Sequence, residues 1–97
     1  MDSAWDRLLD LVDHLAADPA RSLDAEVEQT FATLCAEAMQ VRDIDGELHV
    51  PDVARWLVGL LHGHRALRDN RPQVDADRDL ADLRLIATRW LHPPRPR

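Results

Sequence analysis

The 97-residue sequence has no lysine, a single cysteine, three glycines and no apolar run near the ~20 residues that a membrane-spanning helix needs. The missing run excludes a transmembrane helix. One cysteine, Cys35, excludes an internal disulfide framework and a cysteine-based zinc site. The few glycines form no phosphate-cradling loop, and no serine sits in a nucleophile elbow. The opening residues Met1-Asp2-Ser3-Ala4-Trp5-Asp6 lack the basic and apolar regions of a secretory signal. A cytoplasmic location is therefore expected, with Cys35 a reduced, structural thiol.

What is present reads as one globular domain. A hydrophobic fraction of 45% with 31% charged residues separates the chain from disordered sequences. A chain this short can bury only a small core. All 12 basic residues are arginine, and with abundant Ala, Asp, Leu and Val this points to a GC-rich bacterial genome. The net charge is −6, which disfavours phosphate backbones, so no nucleic-acid partner is expected. The charge is uneven: residues 1–50 carry 12 acids and 3 arginines, residues 51–97 carry 6 acids and 9 arginines. Such a split either lets the two halves attract one another or steers a partner.

Hydrophobic periodicity predicts four helices. The first spans about Ala4–Ala17, with the stripe Trp5, Leu8, Leu9, Val12, Leu15 and Ala16. Ser3 is its expected N-cap, Asp6 its capping-box partner, and Asp18-Pro19 its stop. The second spans about Leu23–Gln40, capped by Ser22, with Leu23, Val27, Phe31, Leu34 and Ala38 inward. The third starts at Pro51, a residue suited to a first helical turn, and runs to about Arg68 with Val53, Trp56, Leu57, Leu60, Leu61, His64 and Leu67 on one face. Gly59 and Gly63 lie inside it, where they either admit a neighbouring helix or fray the end. The fourth spans about Asp75–Leu91, with Leu80, Leu83, Ile86, Ala87, Trp90 and Leu91 inward. Its first turns hold Asp75, Asp77 and Asp79 and its last hold Arg84 and Arg89, an order that the helix macrodipole favours. Between the second and third helices, Asp45-Gly46 carries a type I′ turn signal, so a short β-hairpin or tight turn is expected over residues 41–50.

Short connections make sequential helices antiparallel neighbours. The expected fold is all-α, an antiparallel four-helix bundle over residues 1–92, followed by a disordered Pro/Arg tail at residues 93–97. In that topology Trp5, Met39, the 41–50 segment, Trp56 and Trp90 gather at one end. The three indoles then either plug that end or line a groove there.

The segment Asp43-Ile-Asp45-Gly46-Glu-Leu48 resembles part of an EF-hand calcium loop. Aligned on Gly46, Asp43, Asp45 and Asp52 take ligand positions 3, 5 and 12, and Leu48 takes the apolar position 8. The pattern departs where position 1 is Val41, which has no carboxylate, and where the apolar phase of the preceding helix starts the loop at Met39. The resemblance implies a cation held by Asp43, Asp45 and Asp52; the plainer expectation is a turn with no metal and no cofactor.

The histidines match no zinc spacing. His62 and His64 point to opposite sides of a helix, His14 faces solvent, and His64 falls on the core face as a hydrogen-bonded, partly buried side chain. Leu11, Val58 and Leu85 lie outside the apolar stripes of their helices, and several such residues on one surface mark a partner face. The expected function is a small non-enzymatic interaction module of the adaptor, immunity, antitoxin or inhibitor kind, binding a protein partner or itself through Leu11, Val58, Leu85, Trp5, Trp56 and Trp90. The alternative is an ion- or small-ligand-binding domain that uses the 41–52 loop and the tryptophan end.

Overall fold

The computed structural model describes residues 2–92; the expected tail at 93–97 lies outside them. Four helices form in chain order: α1 (Ala4–Ala17), α2 (Ala25–Gln40), α3 (Val50–Asn70) and α4 (Ala76–Leu91). No helix among the described residues is long and apolar enough to cross a membrane.

Each helix start follows from local chemistry. At α1 the Ser3 hydroxyl accepts from the Asp6 N–H at 3.0 Å while the Asp6 carboxylate accepts from the Ser3 N–H, a reciprocal capping box. α2 begins two residues later than its stripe predicts. Its cap is Asp24, not Ser22, and the Asp24 carboxylate accepts from the Val27 N–H at 3.0 Å. A carboxylate also brings negative charge to the positive end of the dipole, which a serine does not. α3 carries Pro51 in its first turn and runs two residues past Arg68. α4 is capped by Asp75, which accepts from the Asp77 N–H at 2.8 Å.

The expected hairpin does not form: residues 41–49 contain no strand. α2 ends instead in a Schellman motif, with the Arg42 N–H donating to the Met39 carbonyl and the Asp43 N–H to the Ala38 carbonyl. This motif needs a left-handed residue, and Arg42 supplies it at φ 64°, while Gly46 has a negative φ. Asp45-Gly46-Glu47-Leu48 is a turn closed by the Leu48 N–H on the Asp45 carbonyl, with the Asp45 side chain accepting from the Glu47 N–H. Ile44 is buried and anchors the segment to the helices, while Val41 is exposed.

The core draws on every element, chiefly Leu8, Leu15, Phe31, Leu57, Leu61 and Leu91. α1 and α3 pack on each other and each packs on both α2 and α4, while the backbones of α2 and α4 make no close approach. The ends fix the sense of each helix. Arg7 near the start of α1 pairs with Glu37 near the end of α2. Trp5 stacks on His92 just past α4, ring centres 4.4 Å apart. The Asp45 N–H donates to the Leu91 carbonyl at 2.8 Å, and the His92 Nδ1–H donates to the Asp43 carbonyl. At the opposite end, Arg65 of α3 donates to the Leu15 and Asp18 carbonyls, satisfying the open end of α1.

Candidate functional site

α3 determines where an uncovered surface arises. At ~100° per residue its apolar side chains, from Trp56 round to Val58, spread over roughly 200° of the helix, more than a stripe facing one neighbour requires. Three neighbouring helices cover most of that arc. Val58, expected outside the stripe, is buried for this reason. The other edge of the arc stays open: Trp56 and Leu67, expected to face the core, are each 55% exposed. On α4, Leu83, Ala87 and Leu91 turn inward, while Ile86, also expected inward, is 53% exposed.

These residues form a continuous apolar groove between α3 and α4. At one end Trp56, Leu60, Ile86 and Trp90 line a cleft of about 290 Å³. Beside it, and sharing Leu60 and Ile86, a second cleft of about 320 Å³ is bounded by Gly59, Gly63, His64, Leu67, Asp79, Asp82 and Leu83. The glycines keep the α3 side low. A Cβ at Gly59 or Gly63 would meet nothing within 4 Å, and α3 is continuous through both, so neither glycine admits a helix of this chain and neither frays the end. The Arg55 guanidinium lies over the Trp56 ring, 5.8 Å from its centre. The far end of the groove is held by Arg68, which bonds both the Asp79 carboxylate and the Val74 carbonyl.

His64 forms part of the floor. It is buried, and neither ring nitrogen has a hydrogen-bond partner among the described residues. This corrects the expectation of a hydrogen-bonded histidine. Burial pushes its pKa below the ordinary 6.5; the charge of Asp79 opposes the shift, and Arg68 and Arg65 reinforce it. The imidazole is therefore neutral at neutral pH.

The remaining expected site residues are dispersed. Trp56 and Trp90 share a cleft, but Trp5 lies against His92 and is not part of that lining. Leu11 lines a separate, polar cleft with Arg21, Ser22, Asp24, Glu26, Val27 and Thr30. Leu85 is 46% exposed on the outer face of α4. Leu11, Val58 and Leu85 thus share no surface. Leu67 and Ile86, expected in the core, belong to the groove instead. The clue was the breadth of the apolar arc on α3, which the stripe template conceals.

Asp45 is engaged by the Glu47 N–H, and Asp52 faces Arg55 at 3.6 Å. Among the described residues no three His, Cys, Asp or Glu side chains are placed to hold a metal ion. Cys35 is buried, and desolvation pushes its thiol up to about 12, so it carries almost no thiolate at neutral pH.

Comparison of the chain with protein-family models, with curated proteins and with solved structures finds no match.

Proposed function

We propose that this chain is an antiparallel four-helix bundle acting as a non-enzymatic protein-interaction module, with the α3–α4 groove as its docking face. The observation that carries the reading is the clustering of exposed apolar side chains. Of the large hydrophobic residues left exposed, Trp56, Leu67, Leu85 and Ile86 lie on α3 and α4, and only Val41 lies elsewhere among the described residues. Scattered exposed apolar residues carry no meaning, but a contiguous patch rimmed by polar groups marks an interaction surface. Aromatic residues such as Trp56 and Trp90 are the side chains that anchor such interfaces.

The Trp56–Trp90 cleft, at about 290 Å³, sits at the lower bound of small-molecule pockets, roughly 300–1,000 Å³. A protein surface laid along the whole groove uses more of it than a small ligand would.

The test is site-specific photocrosslinking in the source cell. A photoreactive residue replaces Leu67, and a control replaces Glu28 on the exposed side of α2. Protein adducts from position 67 that are missing from position 28 are the expected result. No adduct from position 67, or the same adducts from both, overturns the reading.

A further inference from the structure

We propose that the α3–α4 side docks against a second copy of this chain, α4 on α4 about a two-fold axis that passes α4 between Leu85 and Ile86, with the groove at the border of the contact; the inference rests on the α3–α4 face being the docking surface.

The argument starts from one strip of α4. Asp82, Leu85, Ile86 and Arg89 follow one another at spacings of three, one and three, so at ~100° per residue they share one side of the helix. All four are exposed. They lie away from Leu83, Ala87 and Leu91, which α4 gives to the core. The strip is apolar at its middle, acidic at its N-terminal end and basic at its C-terminal end.

That order is self-complementary. When two copies of α4 pack antiparallel about a two-fold axis, residues equidistant from the axis on opposite sides meet. Asp82 stands three residues before Leu85, and Arg89 three residues after Ile86. Each Asp82 therefore meets the Arg89 of the other copy, twice per dimer, while Ile86 packs on Ile86 and Leu85 on Leu85 across the axis. The ion pairs within the chain, Arg7–Glu37, Arg55–Asp52, Arg68–Asp79 and Arg84–Asp13, use neither Asp82 nor Arg89. Among the described residues neither charge has an ion-pair partner, so both can meet a second copy.

Long-range charge selects the same side. Residues 1–50 hold 12 acids against 3 arginines, so two α1–α2 surfaces repel one another. Residues 51–92 hold six acids against seven arginines, so the α3–α4 side approaches its own copy with no such barrier. The two-fold arrangement also places both α3 helices on the same flank of the α4 pair, where Trp56, Leu67 and Trp90 of each copy border the contact.

The test is sedimentation equilibrium of the full chain from micromolar to millimolar concentration, with circular dichroism to confirm that each variant folds. The wild type is expected to dimerise. Asp82→Arg and Arg89→Asp each turn two attractions into two repulsions and are expected to raise the dimer dissociation constant about tenfold or more. The double variant D82R/R89D restores both pairs and regains the dimer. An equimolar mixture of the two single variants yields the mixed dimer that neither forms alone. A wild type that stays monomeric throughout overturns the proposal, and so does a dimer indifferent to the swaps or unrescued by the double variant. If the wild type is monomeric yet position 67 still crosslinks to a different protein, the interaction reading stands and self-pairing fails; if neither occurs, both fail.

Discussion

Arg68 near the end of α3 reaches Asp79 in the first turns of α4, Nη1 to Oδ2 2.8 Å apart, and the same Nη1 donates to the Val74 carbonyl in the connection between them. The pair is mostly shielded from water, with side-chain exposures of 25% and 17%. One guanidinium thus fixes the turn, the start of α4 and the closed end of the groove. Arg68→Ala leaves Asp79 and the carbonyl without their donor and is expected to cost about 1–3 kcal/mol in chemical denaturation. A loss under a few tenths of a kcal/mol would mean that the pair behaves as an ordinary surface ion pair.

Gly59→Ala and Gly63→Ala are expected to stabilise the chain. Both positions are helical, exposed and open to a Cβ. Alanine is favoured over glycine in a helix interior by about 1 kcal/mol, which raises the melting temperature by roughly 4–8 °C per substitution in a domain of this size. Thermal denaturation at a concentration where the chain is monomeric checks this; a lower melting temperature would show that another segment needs that space.

Arg42→Gly is also expected to stabilise, for a different reason. A side chain held at φ 64° carries the steric cost of the left-handed region, and glycine does not. The gain is about 1 kcal/mol at most, because glycine adds entropy to the unfolded chain. A loss in equilibrium unfolding would show that the arginine side chain makes up for its backbone strain.

His64 links stability to pH. Its folded pKa lies below 6.5, so the folded state accepts the proton less readily than the unfolded state. The sign follows: stability from the neutral imidazole is complete above about pH 6.5 and declines as the pH falls toward the lower folded value. His64→Leu removes this dependence together with two buried nitrogens that lack partners among the described residues. From about pH 7.5 to about pH 5 the wild-type melting temperature is expected to fall more steeply than that of the variant. Parallel curves would remove His64 as the cause.

Helix positions were legible because burial repeats with the helical period; α1 starts and stops at the residues its pattern marks. The 41–49 segment was not. Asp45-Gly46 carries a turn signal that fits several turn types, and the residue that does turn left-handed is Arg42, a side chain with no preference for that conformation. Ile44 holds this segment against the core, and Ile44→Ala is expected to cost about 2–4 kcal/mol in the same denaturation assay. A cost below about 1 kcal/mol would show that the segment relaxes around the gap. The groove was half legible. Trp56 and Trp90 stand out in the sequence, but Leu67 and Ile86 fall on the core stripes, because periodicity measures which side of a helix is apolar and not how much of that side its neighbours reach. Val58 errs in the other direction for the same reason.

That the backbones of α2 and α4 stay apart has a thermodynamic consequence. Substitutions more than about 7–10 Å apart with no common contacts change stability independently, to within roughly 0.3–0.5 kcal/mol. Changes on the outer sides of these two helices should therefore sum, and a dye or affinity tag grafted onto α2 would report on the molecule without perturbing the helix opposite.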